Sequence, residues 1–220
     1  MGRIFENVDT AALEQRTPEW FTARSRYLVT GSRFDTALRT PGHYGSAPQL
    51  WRETVGLEPP RIVPSSEAMR WGTEHEADAI AAFTKMTGLK TRPIGLVPIG
   101  RTLYAVSPDA VVTDASGEAD LGLLEVKCPF SRPITDDLPA RYTAQVAGYL
   151  AALQYGGYQN RHVWFCQWNA KEARCVRYDQ STLLNWVAPG QLLDRLDRFV
   201  LTGDGGREKI TLQSSYRWMT

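Results

Sequence analysis

The chain is poor in cysteine. It has three in 220 residues, at 128, 166 and 175, and none in Cys-x-x-Cys spacing. Such usage argues against a zinc or iron–sulfur centre and suggests a reducing compartment. Long apolar runs are also missing. No stretch approaches the roughly 20 residues needed to span a bilayer, and Met1-Gly2-Arg3-Ile4-Phe5-Glu6 lacks the apolar segment of a secretory signal. The expectation is a protein with no membrane association. Charge of one sign is not in excess: 25 Lys and Arg face 24 Asp and Glu, a net of +1. That excludes a generally basic nucleic-acid coat but leaves room for a locally basic channel. There is no internal repeat and no low-complexity segment. What remains, 43% hydrophobic and 22% charged residues, suits one folded domain with a sizeable core.

One stretch stands out from this background. Leu123-Leu124-Glu125-Val126-Lys127-Cys128-Pro129 is an apolar run with two charges set in it. It reads as a buried strand, and period 2 puts Glu125 and Lys127 on one face. Burying a carboxylate and an ammonium costs several kcal/mol unless each is partnered. A metal ion is the usual partner for such a carboxylate, and a reacting phosphate suits the lysine. Ser107-Pro108-Asp109 lies upstream, with Asp109 16 residues before Glu125. Asp114-Ala115-Ser116-Gly117 reads as the turn between them, so a hairpin brings Asp109 beside Glu125. Glu-x-Lys alone fits a salt-bridged strand edge. Asp, Glu and Lys in this order and spacing form the active-site pattern of metal-dependent nucleases.

Other segments read around this one. Thr17-Pro18-Glu19 starts a helix carrying Trp20, Arg24 and Tyr27. Thr30-Gly31-Ser32 precedes a helix over 33–39, with Ser32 expected as its N-cap. A hydroxyl, a glycine and free N–H groups at a helix start suit a phosphate. Five arginines between 16 and 39 make this end locally basic. Ser46 opens another helix, ending near Gly56. The pattern predicts one long helix from about Glu67 to Met86, stopped by Gly88. Glu76, Ile80 and Phe83 share its inward stripe, making Glu76 a third candidate acid. Strands are expected at 103–106, 109–112 and 121–128, then a helix over 141–153 in which Gln145 sits on an apolar face. A hairpin follows at 162–168 and 174–178, and a closing helix at about 190–202. The three histidines, 43, 75 and 162, are scattered and read as structural or surface residues.

Five stretches together resemble the lambda-type phage exonuclease family of the PD-(D/E)xK superfamily. They are Trp20-x-x-x-Arg24 with Thr30-Gly31-Ser32; Trp71-Gly72 followed by Glu76; Ser107-Pro108-Asp109; Leu124-Glu125-Val126-Lys127-Cys128-Pro129-Phe130; and Tyr142-x-Ala144-Gln145-Val146. The resemblance spans residues 20 to 149. It implies an α/β (α+β) restriction-endonuclease-like core, a central mixed sheet flanked by helices. Residues 1–220 form one domain on this reading: a helical part over 16–60 for DNA-end binding, a nuclease core over about 65–180, and the closing helix. It implies 5′-to-3′ digestion of one strand of duplex DNA, a homotrimeric ring, a single-strand annealing partner, and the cytoplasm of a phage's bacterial host. It implies that Asp109 and Glu125 hold Mg²⁺, two ions with Mn²⁺ as a substitute, helped by Glu76 and the Val126 carbonyl. Lys127 activates the attacking water or steadies the phosphate, and Gln145 orients Lys127 or the water. Arg24, Thr30, Ser32 and Ser107 hold the 5′-phosphate, and Met69 is the strand-separating wedge. The family's lysine before that wedge is replaced here by Glu67, with Arg70 a substitute.

Three other readings use the same residues. A restriction- or repair-type endonuclease would cut closed circular duplex. A helicase-linked or CRISPR-associated nuclease with an iron–sulfur cluster would be coloured, and three unclustered cysteines speak against it. A non-catalytic DNA-binding module would show no Mg²⁺-dependent cleavage, and the intact Asp109, Glu125 and Lys127 set argues against it.

Overall fold

The strand read around Glu125 is the centre of the molecule. The computed structural model describes residues 3–62, 64–179, 181 and 189–203. In it β6 (Asp120–Lys127) is the middle of a five-stranded mixed sheet. Its neighbours are β5 (Ala110–Thr113), antiparallel to it, and β7 (His162–Trp168), parallel to it. The outer strands are β2 (Lys90–Arg92) beside β5 and β8 (Ala173–Tyr178) beside β7, both antiparallel. A second small sheet has the order β1 (Val29–Thr30), β4 (Tyr104–Val106), β3 (Val97–Pro98).

The period-2 pattern of β6 divides the core in two. Leu123 joins Val111, Val163 and Phe165 in a cluster with α6 (Thr143–Tyr155). Leu124 and Val126 join Val112, Trp164 and Cys166 in a cluster with Ala79 and Phe83 of α5 (Glu76–Thr87). The sheet is thus covered by α6 on one face and α5 on the other. From Leu123 on, past a register shift against β5, the odd-numbered residues of β6 turn toward α6, and this decides where Glu125 points. Around α6 pack α2 (Gly31–Leu38), α3 (Ala47–Thr54) and the closing helix α7 (Pro189–Thr202). The first helix, α1 (Pro18–Arg24), is capped by the Thr17 side chain on the Trp20 N–H, as the Thr-Pro-Glu start predicts.

The structure corrects four expectations. The helix over 67–86 is two helices, α4 (Glu67–Glu74) and α5, broken at His75 with φ −106° and ψ 9°. Gly72 and Thr73 weaken helix propensity there, and the His75 ring is held 3.9 Å from Trp71 and 5.3 Å from Trp168. The N-cap of α2 is Thr30, not Ser32, which stands in the first turn. No expected strand covers 93–100, yet Val97–Pro98 there form β3. Cys166 and Cys175, which the sequence reading leaves unpaired, face each other across β7 and β8 and are joined as a disulfide. Cys128 is free. Among the described residues no helix is long and apolar enough to cross a membrane.

One buried contact locks α2 to α6. Asp35 accepts the N–H groups of Ala144 at 3.0 Å and Gln145 at 3.2 Å, orphan donors at the start of α6, and the Thr40 hydroxyl at 2.8 Å. Burial pushes the Asp35 carboxyl up to about 6, against the pull of these donors and the Lys127 charge. The unfolded value is roughly 4. Between the two the folded protein holds the extra proton, so Asp35 subtracts stability as pH rises from about 4 through about 6. Asp35→Asn cannot ionise. Its stability relative to wild type should therefore rise by roughly 2 kcal/mol between pH 4.5 and 7. Urea midpoints at the two pH values check this, and a pH-independent difference contradicts it.

Candidate active site

Glu125 is 2% exposed, and its carboxylate is fully engaged. Lys127 Nζ contacts Oε1. Gln145 Nε2 donates to the same oxygen at 2.8 Å, and the Tyr149 hydroxyl donates to Oε2. Both α6 residues reach Glu125 because β6 presents its odd-numbered side chains to that helix. Gln145 thus orients Glu125 and reaches Lys127 only through it. Gln145 also donates to the Tyr149 hydroxyl at 2.9 Å, and that hydroxyl lies 3.2 Å from the Ser107 carbonyl.

Asp109 stands beside this group as the hairpin predicts. Its N–H donates to the Leu124 carbonyl at 3.0 Å, and Val126 N–H donates to its Oδ2 at 2.7 Å. Among the described residues no donor reaches Oδ1. Burial, followed by the charge on Glu125, raises the Asp109 carboxyl well above the ordinary range, while Lys127 and the Val126 N–H oppose the rise. Burial lowers the Lys127 ammonium, but Glu125 and Asp109 outweigh it and raise the group overall. Lys127 therefore stays charged at neutral pH. Burial and the Glu125 charge also raise the Tyr149 hydroxyl well above its usual value, so it remains a donor. Cys128 is pushed up to about 11 by burial, then Asp109 and Glu76. It is a neutral thiol, and it donates to the His75 carbonyl at 3.3 Å.

Glu76 lies within electrostatic reach of Asp109, but its Oε2 is bound by Arg16 at 2.5 Å. Three acidic side chains thus face two cations, the partly buried Lys127 and the half-exposed Arg16. Among the described residues no three His, Cys, Asp or Glu side chains converge as a ready metal cage. The residues nonetheless fit a divalent ion. The donors are hard oxygens, suited to Mg²⁺ rather than to softer metals. Asp109 has an oxygen without a donor, and the pocket carries more negative than positive charge.

The candidate phosphate residues adjoin this pocket. Arg24 Nη2 donates to Ser32 Oγ at 2.9 Å, and the guanidinium lies 4.9 Å from the Trp20 ring. Among the described residues it pairs with no acid. Burial, then the nearby Arg33, lowers its pKa. Gly31 sets the approach: a Cβ there would lie 3.2 Å from Val106 Cγ1 and 3.6 Å from Tyr149 Cε1. Through it the start of α2 lies against the tyrosine that holds Glu125. Thr30 contributes its backbone as cap and makes no side-chain cap bond. Ser107 Oγ is buried without a hydrogen-bond partner. Met69 is 53% exposed on α4, and Arg70 Nη1 donates to the Ser65 carbonyl at 3.0 Å.

The sequence reading missed Tyr149 and Asp35. Tyr149 falls within the expected helix over 141–153 and is given no role of its own there. Its spacing of four from Gln145, which puts both on one helix face, was the available signal. Asp35 carried none, because the partners that tie it to α6 are backbone groups more than 100 residues away.

Solved structures share this fold. An alkaline exonuclease (LHK-Exo) from Laribacter hongkongensis superposes with a TM-score of 0.62 at 23% identity, covering 84% of this chain and 91% of that one. The structure of LHK-Exo in complex with dAMP gives 0.61 at 24% identity over the same shares. A phage-related exonuclease from Haemophilus somnus 129PT gives 0.53 at 14% identity, covering 81% and 93%. At these identities the likeness establishes the fold. A search of curated proteins finds no match. A family model matches residues 19–156, the stretch holding Arg24, Ser32, Glu76, Asp109, Glu125, Lys127 and Gln145, and the chain belongs to the YqaJ-like viral recombinase domain family.

Proposed function

We propose that the protein is a Mg²⁺-dependent 5′-to-3′ exonuclease that degrades one strand of duplex DNA from its end and leaves a 3′ single-stranded overhang. The carrying observation is the buried pair Asp109 and Glu125 with Lys127 in contact. The family and the exonuclease-like fold support a nuclease. The half-buried Arg24 without an acidic partner supports action at an end.

Asp109 and Glu125, helped by the Val126 carbonyl and Glu76, would hold the metal. When bound, Mg²⁺ supplies Lewis-acid stabilisation of the attacking and leaving oxygens, two ions being the usual arrangement. The chain's own residues do the rest. Gln145 and Tyr149 hold the Glu125 carboxylate still. Lys127, charged throughout, places a cation where negative charge builds on the phosphate. Water adds to phosphorus, the bond to the 3′-oxygen breaks, and the freed oxygen takes a proton. A 5′-mononucleotide leaves, and the remaining strand carries a new 5′-phosphate. That group suits Arg24, Ser32 and the N–H groups opening α2, with Ser107 Oγ and Thr30 beside them. Met69 is the wedge, and Arg70 stands in for the lysine replaced by Glu67. On this reading the enzyme works with a single-strand annealing protein in phage-type recombination, in the host cytoplasm.

Asp109→Ala, Glu125→Ala and Lys127→Ala should each lose at least ~10²-fold in turnover, the scale of removing one preorganised electrostatic group. Release of acid-soluble nucleotide from linear duplex, with and without Mg²⁺, checks this. A folded variant with near-normal turnover removes that residue from the site. Duplex with a 5′-phosphate should be digested faster than duplex with a 5′-hydroxyl, and Arg24→Ala should erase most of that preference. Equal initial rates for wild type on the two ends would return Arg24 to a structural role. The chain should assemble as a homotrimer around DNA, and a light-scattering mass of one chain at working concentration refutes this.

A further inference from the structure

A row of cations and rings leads away from Lys127, and its members beyond that lysine have no part in the chemistry above. Lys127 Nζ lies 5.2 Å from the Tyr142 ring centroid, and Arg141 Cζ lies 4.9 Å from the same ring. Arg141 Cζ is also 5.6 Å from the Tyr44 ring, and Arg132 Cζ is 5.9 Å from it. Arg132 Nη1 donates to the Tyr44 hydroxyl at 3.2 Å. The order is Lys127, Tyr142, Arg141, Tyr44, Arg132.

Two features suit this row to an anionic ligand. Arg132 and Arg141 pair with no acid among the described residues, whereas Arg16, Arg33, Arg52, Arg92 and Arg174 all do. Arg141 Nε is buried and has no acceptor. A buried donor left unmet costs about 1–3 kcal/mol, so a fold that keeps one needs a reason. Tyr44 is 57% exposed, yet its loop is pinned. The Thr36 hydroxyl donates to its carbonyl, and Gly42 and Gly45 bracket it with φ of 77° and 83°. An exposed ring held rigidly between two unpaired guanidinium groups is a preorganised support for cations.

We propose that Arg141 and Arg132, held by Tyr142 and Tyr44, bind phosphates of the DNA strand being cut, on the side of the cut away from its 5′ end. The proposal rests on the nuclease reading for its ligand. The layout supports that side. Ser32 opens α2 and Tyr44 follows the far end of the same helix. The loop after α2 folds back so that the Tyr44 carbonyl meets the Thr36 hydroxyl, four residues and about 6 Å along the helix from Ser32, room for on the order of two phosphates at about 3.4 Å of duplex axis each. The end site is thus set at the first turn of α2 and the row about one turn further along, with Lys127 at the row's inner end. Planar guanidinium groups fit phosphate oxygens bidentately, and a diester backbone supplies them at regular intervals.

The test is binding without turnover: anisotropy of a fluorescein-labelled 5′-phosphorylated duplex in EDTA, measured across salt concentrations. Arg132→Ala and Arg141→Ala should each weaken binding about tenfold at low salt and reduce the log–log salt slope by about 1. Tyr44→Ala should weaken binding similarly, and Tyr44→Phe, which keeps the ring, should restore most of it. Lys90→Ala removes the same charge at the other end of β6, where Lys90 Nζ donates to the Ser116 carbonyl. It should leave the slope unchanged. Arg132 is exposed, so its variant keeps the fold even where Arg141→Ala does not. An Arg132→Ala slope equal to wild type, or the same loss in Lys90→Ala, overturns the row, as does absence of binding by wild type. Absence of nuclease activity overturns the enzymatic reading separately, since this measurement needs no turnover.

Discussion

The site depends on two carboxylates held side by side in a low-dielectric interior. Asp109 and Glu125 repel each other, and burial sharpens the repulsion. The surroundings offset this with groups fixed by the fold: Lys127 from the same strand, Gln145 and Tyr149 from α6, and the Val126 N–H. The compensation is incomplete. Asp109 is still raised well above the ordinary range, with one oxygen lacking a donor. A protein selected for stability alone would do better with apolar residues at these positions. Keeping an undercompensated acid pair makes sense where a cation is to be received.

The position of α6 is therefore a functional constraint. Its first turn is tied to α2 by Asp35, and its middle lies against α2 so closely that a Cβ at Gly148 would sit 2.6 Å from Phe34. The opening of α2 is in turn pressed on Tyr149 through Gly31. Ser32, which Arg24 contacts, and the two groups that hold Glu125 thus share one helix pair. A shift of α2 against α6 would disturb both at once, which is why a buried, partly destabilising charge at Asp35 can serve function better than an apolar contact.

Much of this was legible in the chain. The Glu125 and Lys127 placement follows from period 2 and an apolar jacket. Asp109 follows from a turn at the right distance, and the mixed sheet with flanking helices follows from the family resemblance. Illegible features all come from tertiary contacts. The break at His75 depends on Trp71 and Trp168 rings from different elements. The pairing of Cys166 with Cys175 depends on the register of a hairpin whose existence, but not phase, the pattern indicates. Ser32 was given the role of Thr30 because one residue of helix start is beyond what capping preferences resolve.

The arginines of the first helices show how structure narrows a composition argument. Five between 16 and 39 make that end basic, and charge alone cannot rank them. In the fold Arg16 is bound to Glu76 and Arg33 to Glu53, so both are neutralised. Arg26 lies exposed to solvent, where a phosphate contact is screened and weak. Arg24 alone of these four is half buried, lacks an acidic partner among the described residues, touches Ser32, and stands near Tyr149. A guanidinium in that state has a lowered pKa and an unmet need for negative charge. The geometry that makes it costly in the free protein is the reason a doubly charged terminal phosphate is the counter-ion we propose for it.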